Sequence, residues 1–144
     1  MEDKKYCGKP SLEEVVKKLR ASGYKLTYTR LEVVRIMIER GEEHPSLVEI
    51  YEEAKKRIPT VSFTTVYNTA RLLESLGVLW LFEYEGDKRV ELVTKPHVNI
   101  VDREKNTIMD FCDLEALEYL EKALERLVEK TGRRYKKAVF NVVV

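Results

Sequence analysis

The sequence predicts an α+β protein, in which an N-terminal winged helix-turn-helix domain precedes a small α/β domain. Two observations support this fold class. Four segments with a helical spacing of apolar residues come before two β-rich runs joined by a turn. After Lys95 and Pro96 the pattern changes to two short strands, a long helix and a last apolar run. We therefore predict two domains, residues 1–94 and residues 95–144, the second in the order β-β-α-β.

Cap and stop signals define four helices in the first domain. Three of the starts are capping boxes, with Ser or Thr followed three residues later by Glu, and Gly or Pro ends each helix. The predicted caps are Ser11, Thr29, Ser46 and Ser62, and the predicted stops are Gly23, Gly41, Pro59 and Gly77. Residues 78–84 and 89–93 are predicted as strands around a turn at residues 85–88.

This order of elements is typical of a winged helix. The third and fourth helices would form the helix-turn-helix pair, and the two strands would form the wing. The element lengths alone leave open a generic α+β domain without a DNA role.

The second domain is predicted to need a partner copy. Its strands are predicted at residues 98–102 and 107–112, its helix from Asp113 to Gly132, and its last strand at residues 135–144. About 50 residues are few for an independent core. The final run is too apolar to stay as an open sheet edge. Both points predict a homodimer formed through this dimerisation domain.

Composition is that of a soluble protein. The chain has 144 residues, 44% of them hydrophobic and 35% charged, with a net charge of +1. It has no apolar run of about 18 residues and no signal-peptide pattern, so we expect a cytoplasmic protein without a membrane partner. Cys7 and Cys112 are the only cysteines, too few for a disulfide scaffold. The sequence leaves their roles open.

Charge and motifs favour a binding protein over an enzyme. From Lys17 to Arg35 there are six positive residues against one acid, Glu32, which indicates either a basic face or an ordinary solvated helix surface. The chain has no phosphate loop, no His-Glu-x-x-His motif and no nucleophile–base pair. We therefore predict that it is not an enzyme.

A set of ordered motifs resembles the ferric uptake regulator family of metal-responsive repressors. Residues 62–79, SFTTVYNTARLLESLGVL, are similar to the recognition helix of that family. Further matches are residues 22–30, His44-Pro-Ser46, Glu49-Ile-Tyr51, residues 90–92, Pro96-His97 and residues 108–111. The resemblance implies a homodimeric transcriptional repressor that binds double-stranded operator DNA and responds to a divalent metal.

A recognition helix offers its first turns to base edges and phosphates. The candidate DNA-binding residues are Lys25, Arg30, Ser62, Thr64, Thr65, Tyr67, Asn68, Arg71, Lys88 and Arg89. Asn68 stands where many family members have arginine, and asparagine prefers adenine. The resemblance implies that Tyr67 contacts a thymine methyl group or a phosphate, although Tyr67 could instead be a core aromatic. Lys25 matches a family residue that reaches an A·T-rich minor groove. Lys88 and Arg89 are predicted at the wing tip, next to phosphate.

The resemblance also implies a regulatory metal site at the joint between the domains. Its residues in this chain are His44, Glu91, His97, Asn99 and Asp110. Asn99 replaces a family histidine, and an amide is a poorer ligand than imidazole, so we expect lower affinity. His97 and Asn99 share a strand face, and a turn near residues 104–105 would bring Asp110 beside Asn99. Such donors suit Fe(II), Mn(II), Zn(II), Co(II) or Ni(II). Without the resemblance, His44 and His97 could be ordinary joint residues.

Many family members also hold a structural zinc ion with two Cys-x-x-Cys pairs. This chain has Asp102 and Lys105 at the first pair and no cysteine after Cys112, so a four-cysteine zinc site is not expected.

Two alternative functions stay open. A family-derived winged-helix dimer that no longer senses metal would bind operator equally with and without a chelator. A dimeric protein-interaction module would show no salt-dependent binding to duplex DNA.

Overall fold

A computed structural model describes residues 9–92 and 95–144 of the chain. These residues fall into two compact units, Pro10–Leu92 and a second unit whose helices and strands all lie after residue 95. The predicted boundary between residues 94 and 95 stays a prediction, and Cys7 lies outside the described residues. In the part of the chain that is described, no helix is both long enough and apolar enough to cross a lipid bilayer.

The first unit contains four helices and a hairpin. The helices are α1 (Leu12–Ala21), α2 (Tyr28–Glu39), α3 (Leu47–Arg57) and α4 (Phe63–Ser75), and a short 3-10 helix, Gly41–Glu43, follows α2. Ser11, Ser46 and Ser62 cap three of these helices, as predicted. Each hydroxyl accepts a hydrogen bond from the backbone N–H three residues later.

The start of α2 differs from the prediction. Thr27, not Thr29, is the N-cap, because it has the extended backbone of a cap and its hydroxyl accepts from the Arg30 N–H at 3.2 Å. The capping-box pattern pointed to Thr29 because Glu32 follows three residues later. Tyr28 therefore belongs to the first turn of α2, with 70% of its surface exposed.

The hairpin is tighter than the sequence indicated. Strand β1 (Trp80–Tyr84) pairs in antiparallel register with β2 (Asp87–Glu91). The connection is the two-residue turn Glu85-Gly86, and both residues have positive φ, 51° and 86°, as in a type I′ hairpin turn. The predicted four-residue turn at residues 85–88 was therefore too long, and β2 begins at Asp87.

An apolar core joins these elements. Its fully buried side chains come from all four helices, from β2 and from the segment just before β1, and include Val15, Leu19, Val33, Ile36, Ile50, Val66, Leu73, Leu79 and Val90. At its edge, Arg57 of α3 donates to Glu39 of α2 at 3.1 Å, a bond that raises the pKa of Arg57. The pair is partly exposed, so packing and not this ion pair holds α3 against α2.

The second unit is a three-stranded sheet with one helix. Its elements are β3 (His97–Asp102), β4 (Thr107–Phe111), α5 (Leu114–Thr131) and β5 (Val139–Val143). The strand order is β4-β3-β5, with β3 antiparallel to β4 and parallel to β5. Asp113 caps α5 and Gly132 ends it at φ 66°, as predicted. The last strand is shorter than the predicted residues 135–144, since it begins at Val139, after Tyr135 and two exposed lysines, and ends at Val143.

The core of the second unit is small. Among residues 95–144, the buried hydrophobic side chains are Val101, Ile108 and Leu124. Many other large apolar side chains are exposed in the single chain, and these include Met109, Phe111, Leu114, Leu127, Val142, Val143 and Val144. A free monomer would thus expose more apolar surface on this unit than is usual for a soluble protein.

Candidate nucleic-acid interface and metal centre

Helix α4 has one face in the core and one face in solvent. Val66, Ala70 and Leu73 are fully buried. Thr64, Asn68 and Arg71, which follow each other at the i, i+4, i+7 spacing of one helix face, are exposed. The structure therefore brings three of the predicted DNA-binding residues together as one polar stripe along the helix.

Two other predicted residues, Ser62 and Thr65, form the start of α4. The Ser62 hydroxyl accepts from the Thr65 N–H at 3.1 Å and shares a hydrogen bond of 2.9 Å with the Thr65 hydroxyl. Their first task is therefore to cap the helix. The cap leaves the positive end of the helix dipole at the surface, where it favours a phosphate.

Tyr67 connects the helix to the wing. Its ring is partly buried and packs against the core. Two cations lie near the ring, Arg71 with its guanidinium carbon 6.0 Å from the centroid and Lys88 of β2 with its Nζ at 5.3 Å. Tyr67 is thus a packed aromatic, one of its two predicted roles, and its contact with DNA stays a prediction.

Arg89 is not where the sequence placed it. It lies in the middle of β2, opposite Phe82, and only 5% of its surface is exposed. Its Nη1 donates to the backbone carbonyl of His44 at 3.2 Å, and its guanidinium carbon lies 5.6 Å from the Tyr84 ring centre. The predicted wing-tip position is wrong because the tight turn starts β2 two residues earlier.

Lys25 lies in the loop before α2, and Arg30 lies in the first turn of that helix. Lys25 is exposed, and its carbonyl accepts a 2.7 Å hydrogen bond from Arg30 Nη1, so Arg30 fixes the loop that carries Lys25. Tyr24 and Tyr28, with 51% and 70% of their surfaces exposed, flank this loop. Neither tyrosine was among the predicted DNA-binding residues.

His44 and Glu91 form a buried pair in the first unit. His44 ends the 3-10 helix in the left-handed conformation, with φ 49° and ψ 59°. Its Nδ1 lies 3.2 Å from a Glu91 carboxylate oxygen, and the two residues are 0% and 1% exposed. The edge of the His44 ring meets Phe82, with ring centres 5.8 Å apart.

His97 and Asp110 form a similar pair in the second unit. His97 Nε2 lies 3.2 Å from Asp110 Oδ1. The other ring nitrogen, Nδ1, lies 2.8 Å from the Lys95 carbonyl, which can only accept a hydrogen bond, so Nδ1 carries a proton and Nε2 faces the carboxylate. Asn99 lies on the same buried strand face as His97 and pairs directly with Asp110 across the sheet, as the turn prediction required.

Both pairs have the chemistry of a site for a divalent transition metal. Imidazole nitrogen with carboxylate oxygen is the donor set of Fe(II), Mn(II) and Zn(II) sites. A carbonyl that holds the second ring nitrogen of a ligand histidine, as Lys95 does for His97, is a frequent feature of such sites. A buried carboxylate such as Glu91 is costly unless a cation offsets its charge.

Hydrogen bonds to one side chain hold the turn between β3 and β4. Asp102 Oδ1 accepts hydrogen bonds of 3.1 Å from the backbone N–H groups of both Glu104 and Lys105. This is the position at which the resemblance would place the first cysteine pair of a structural zinc site.

Comparison with known proteins gives the family. The family model described as the ferric uptake regulator family matches residues 21–142. This chain belongs to the ferric uptake regulator family. The recognition motifs predicted this membership correctly, and members of the family are metal-responsive, DNA-binding transcriptional regulators that act as dimers.

Relatives support this family membership in sequence and in fold. A ferric uptake regulation protein homolog from Archaeoglobus fulgidus is 38% identical over 117 residues, which cover 81% of this chain and 90% of the relative. The solved structure of a zinc-bound manganese uptake regulator is 26% identical, with a TM-score of 0.65, over 90% of this chain and 98% of the other. The Helicobacter pylori ferric uptake regulator has the same fold, with a TM-score of 0.73 at 24% identity over 94% of this chain and 91% of the other. The predicted α+β fold class is thereby confirmed.

Proposed function

We propose that this chain is a homodimeric transcriptional repressor whose binding to double-stranded operator DNA depends on a divalent metal ion. The DNA contacts come from the exposed stripe of α4, from Lys88 of the wing and from Lys25. The metal is held by the imidazole, carboxylate and amide groups of His44, Glu91, His97, Asn99 and Asp110.

The observation that carries this proposal is the exposed polar stripe of α4. Arg71 has the geometry to donate two hydrogen bonds to guanine, and Asn68 to bond adenine. Thr64, nearer the start of the helix, has a hydroxyl that suits a phosphate. A helix with such a stripe over a hydrophobic face presents its residues to a major groove while the core holds it in place.

The metal part of the proposal rests on the two buried pairs. Each pair offers one imidazole nitrogen and carboxylate oxygens, and Asn99 adds an amide oxygen beside Asp110. The relatives support a first-row transition metal, since one is named for ferric uptake and another for manganese uptake with zinc bound. When bound, the ion would supply positive charge that offsets the buried carboxylates. For DNA binding to depend on the metal, the DNA-binding state must hold the ion more tightly than the state that does not bind DNA.

Dimerisation is supported by the second unit. It exposes apolar side chains of β4, α5 and β5 and buries few. A second copy that covered them would give two recognition helices related by a two-fold axis, which a palindromic operator requires.

The experiment that tests the proposal uses the Arg71→Ala variant. A duplex selected from a random library in Mn(II) is labelled, and its affinity for the full-length protein is measured by fluorescence anisotropy at several salt concentrations. We expect Arg71→Ala to weaken binding about 5- to 150-fold, the range for removing one bidentate hydrogen-bonding pair with a base. Arg126→Ala, which removes an exposed arginine of α5, is the matched control and should bind like wild type.

Two outcomes contradict the proposal. If the wild-type protein shows no salt-dependent duplex binding, the chain is a protein-interaction module and not a DNA-binding protein. If binding is the same in Mn(II) and in a chelator, the chain binds DNA but has lost metal sensing.

A further inference from the structure

Strand β2 carries residues of the wing and of the metal pair within four positions. Lys88 lies near the Tyr67 ring of the recognition helix, and Glu91 lies against His44. Arg89, between them, is buried and bonded to the His44 carbonyl. The same strand therefore touches the DNA-binding helix and the histidine of the metal pair.

His44 needs such support, because its backbone conformation is unfavourable. A non-glycine residue with positive φ is strained unless its surroundings hold it, and His44 has φ 49°. The segment that follows His44 runs beside β2. The Val90 N–H donates to the Pro45 carbonyl at 3.0 Å, and Ser46 pairs with Arg89 in an antiparallel bridge. Arg89 Nη1 adds a side-chain hydrogen bond to the carbonyl of His44 itself.

The Arg89 guanidinium has two contacts inside the protein, the His44 carbonyl and the Tyr84 ring. Its guanidinium lies over the Tyr84 ring, near the end of β1, and its side chain is almost wholly removed from solvent. A buried guanidinium loses much of its hydration, and it needs the aromatic ring and the carbonyl in return. If the cation were removed, the His44 carbonyl would lose a charge-assisted hydrogen bond, and its left-handed backbone could relax.

We infer that Arg89 is a positioning residue, which holds the backbone of His44 so that the imidazole faces Glu91 and which joins this pair to the wing. The inference rests on the proposed metal site. It replaces the sequence-based expectation that Arg89 contacts phosphate. Lys88, Arg89 and Glu91 share β2, so the strand that holds the His44 backbone also carries a residue of the wing.

The experiment separates a positioning residue from a phosphate contact. Full-length Arg89→Met and Arg89→Lys are compared with Lys88→Met, the matched control one residue away. Two quantities are measured. The first is Mn(II) affinity, by competition with a fluorescent chelator. The second is the slope of log affinity for duplex DNA against log salt concentration.

We expect substitutions at the two positions to change different measurements. Arg89→Met should lower Mn(II) affinity about 10- to 100-fold, as for loss of a group that orients a metal ligand, and leave the salt slope unchanged. Lys88→Met should leave Mn(II) affinity unchanged and reduce the slope by about 0.9 for each phosphate that the variant no longer neutralises. Arg89→Lys keeps the charge but not the planar fork, so it should still lose several-fold in Mn(II) affinity.

A metal-free measurement keeps the inference separate from the proposed function. In the metal-free protein, hydrogen exchange of the Val90 and His44 amides should accelerate in both Arg89 variants and not in Lys88→Met. If wild type binds no Mn(II), the proposed metal site fails, while these amides still decide the role of Arg89. Unchanged exchange in Arg89→Lys, or a salt slope reduced in Arg89→Met as in Lys88→Met, would overturn the inference.

Discussion

At the scale of single residues, the two histidines are arranged differently although each faces a carboxylate. His97 has its ring fixed from behind by the Lys95 carbonyl, whereas His44 is fixed through its own backbone carbonyl by Arg89. In both, an interaction outside the pair orients the imidazole. Such outer interactions are what tune the affinity of a metal site.

Asn99 is the position of the proposed metal site at which we expect a substitution to raise metal affinity. It is buried, beside His97 on one strand face and opposite Asp110. We predict that Asn99→His, which exchanges an amide oxygen for an imidazole nitrogen, increases affinity for Mn(II) or Zn(II) on the order of tenfold. Competition with a chelator measures the change.

His97→Ala is the control for this prediction. It removes an imidazole from the proposed site and should abolish metal binding in the wild-type and in the Asn99→His background. Equal metal uptake by wild type and Asn99→His would show that position 99 is not a ligand position.

The sequence could locate these residues but not the groups that orient them. Register within a strand follows from spacing, so the shared face of His97 and Asn99 was predictable. The burial of Arg89 was not, because it depends on a turn of two residues instead of four. A turn shorter by two residues changes which residue lies at the wing tip and which lies in the middle of β2.

At the scale of elements, the 3-10 helix after α2 is packed tightly against the end of β2. Gly41 is buried, and a Cβ built on it would lie 2.0 Å from Leu92 Cδ1 and 2.8 Å from Leu92 Cγ. Leu92 is itself only 2% exposed, so it has little freedom to move away. Gly41 begins the 3-10 helix that His44 caps at its C-terminal end, so the contact lies close to the proposed metal ligand.

We predict that Gly41→Ala destabilises the protein by about 1–3 kcal/mol, the usual cost of overpacking a core. Chemical denaturation measures the free energy of unfolding. In the double variant with Leu92→Ala the clash is absent, so the cost of Gly41→Ala should nearly vanish in that background. Additive effects of the two substitutions would contradict the close contact.

Element starts were predictable where one cap signal stood alone. Ser11, Ser46, Ser62 and Asp113 each have a side chain that accepts from the predicted backbone amide. Before α2 two threonines compete, Thr27 and Thr29, and the acidic partner of a capping box favoured the wrong one. Local pattern does not contain the core contacts that decide between such caps.

At the scale of the whole molecule, the order of the elements and of the motifs along the chain was sufficient to predict the fold class and the family. The helix-turn-helix with its wing and the β-β-α-β second unit appear in the expected sequence. The pairing partner of β5 could not be predicted from the sequence. It adds in parallel to β3 after α5 and depends on contacts between residues about forty positions apart, such as Val98 with Phe140.

The central claim is that a metal-bound homodimer places two copies of α4 in successive major grooves. Selection of bound duplexes from a random library, with Mn(II) and with a chelator, tests it most directly. We predict enrichment of two inverted half-sites whose centres lie about 10 base pairs, or a multiple, apart, and loss of that enrichment in the chelator. Enrichment of a single asymmetric site, or no enrichment with Mn(II), would contradict it.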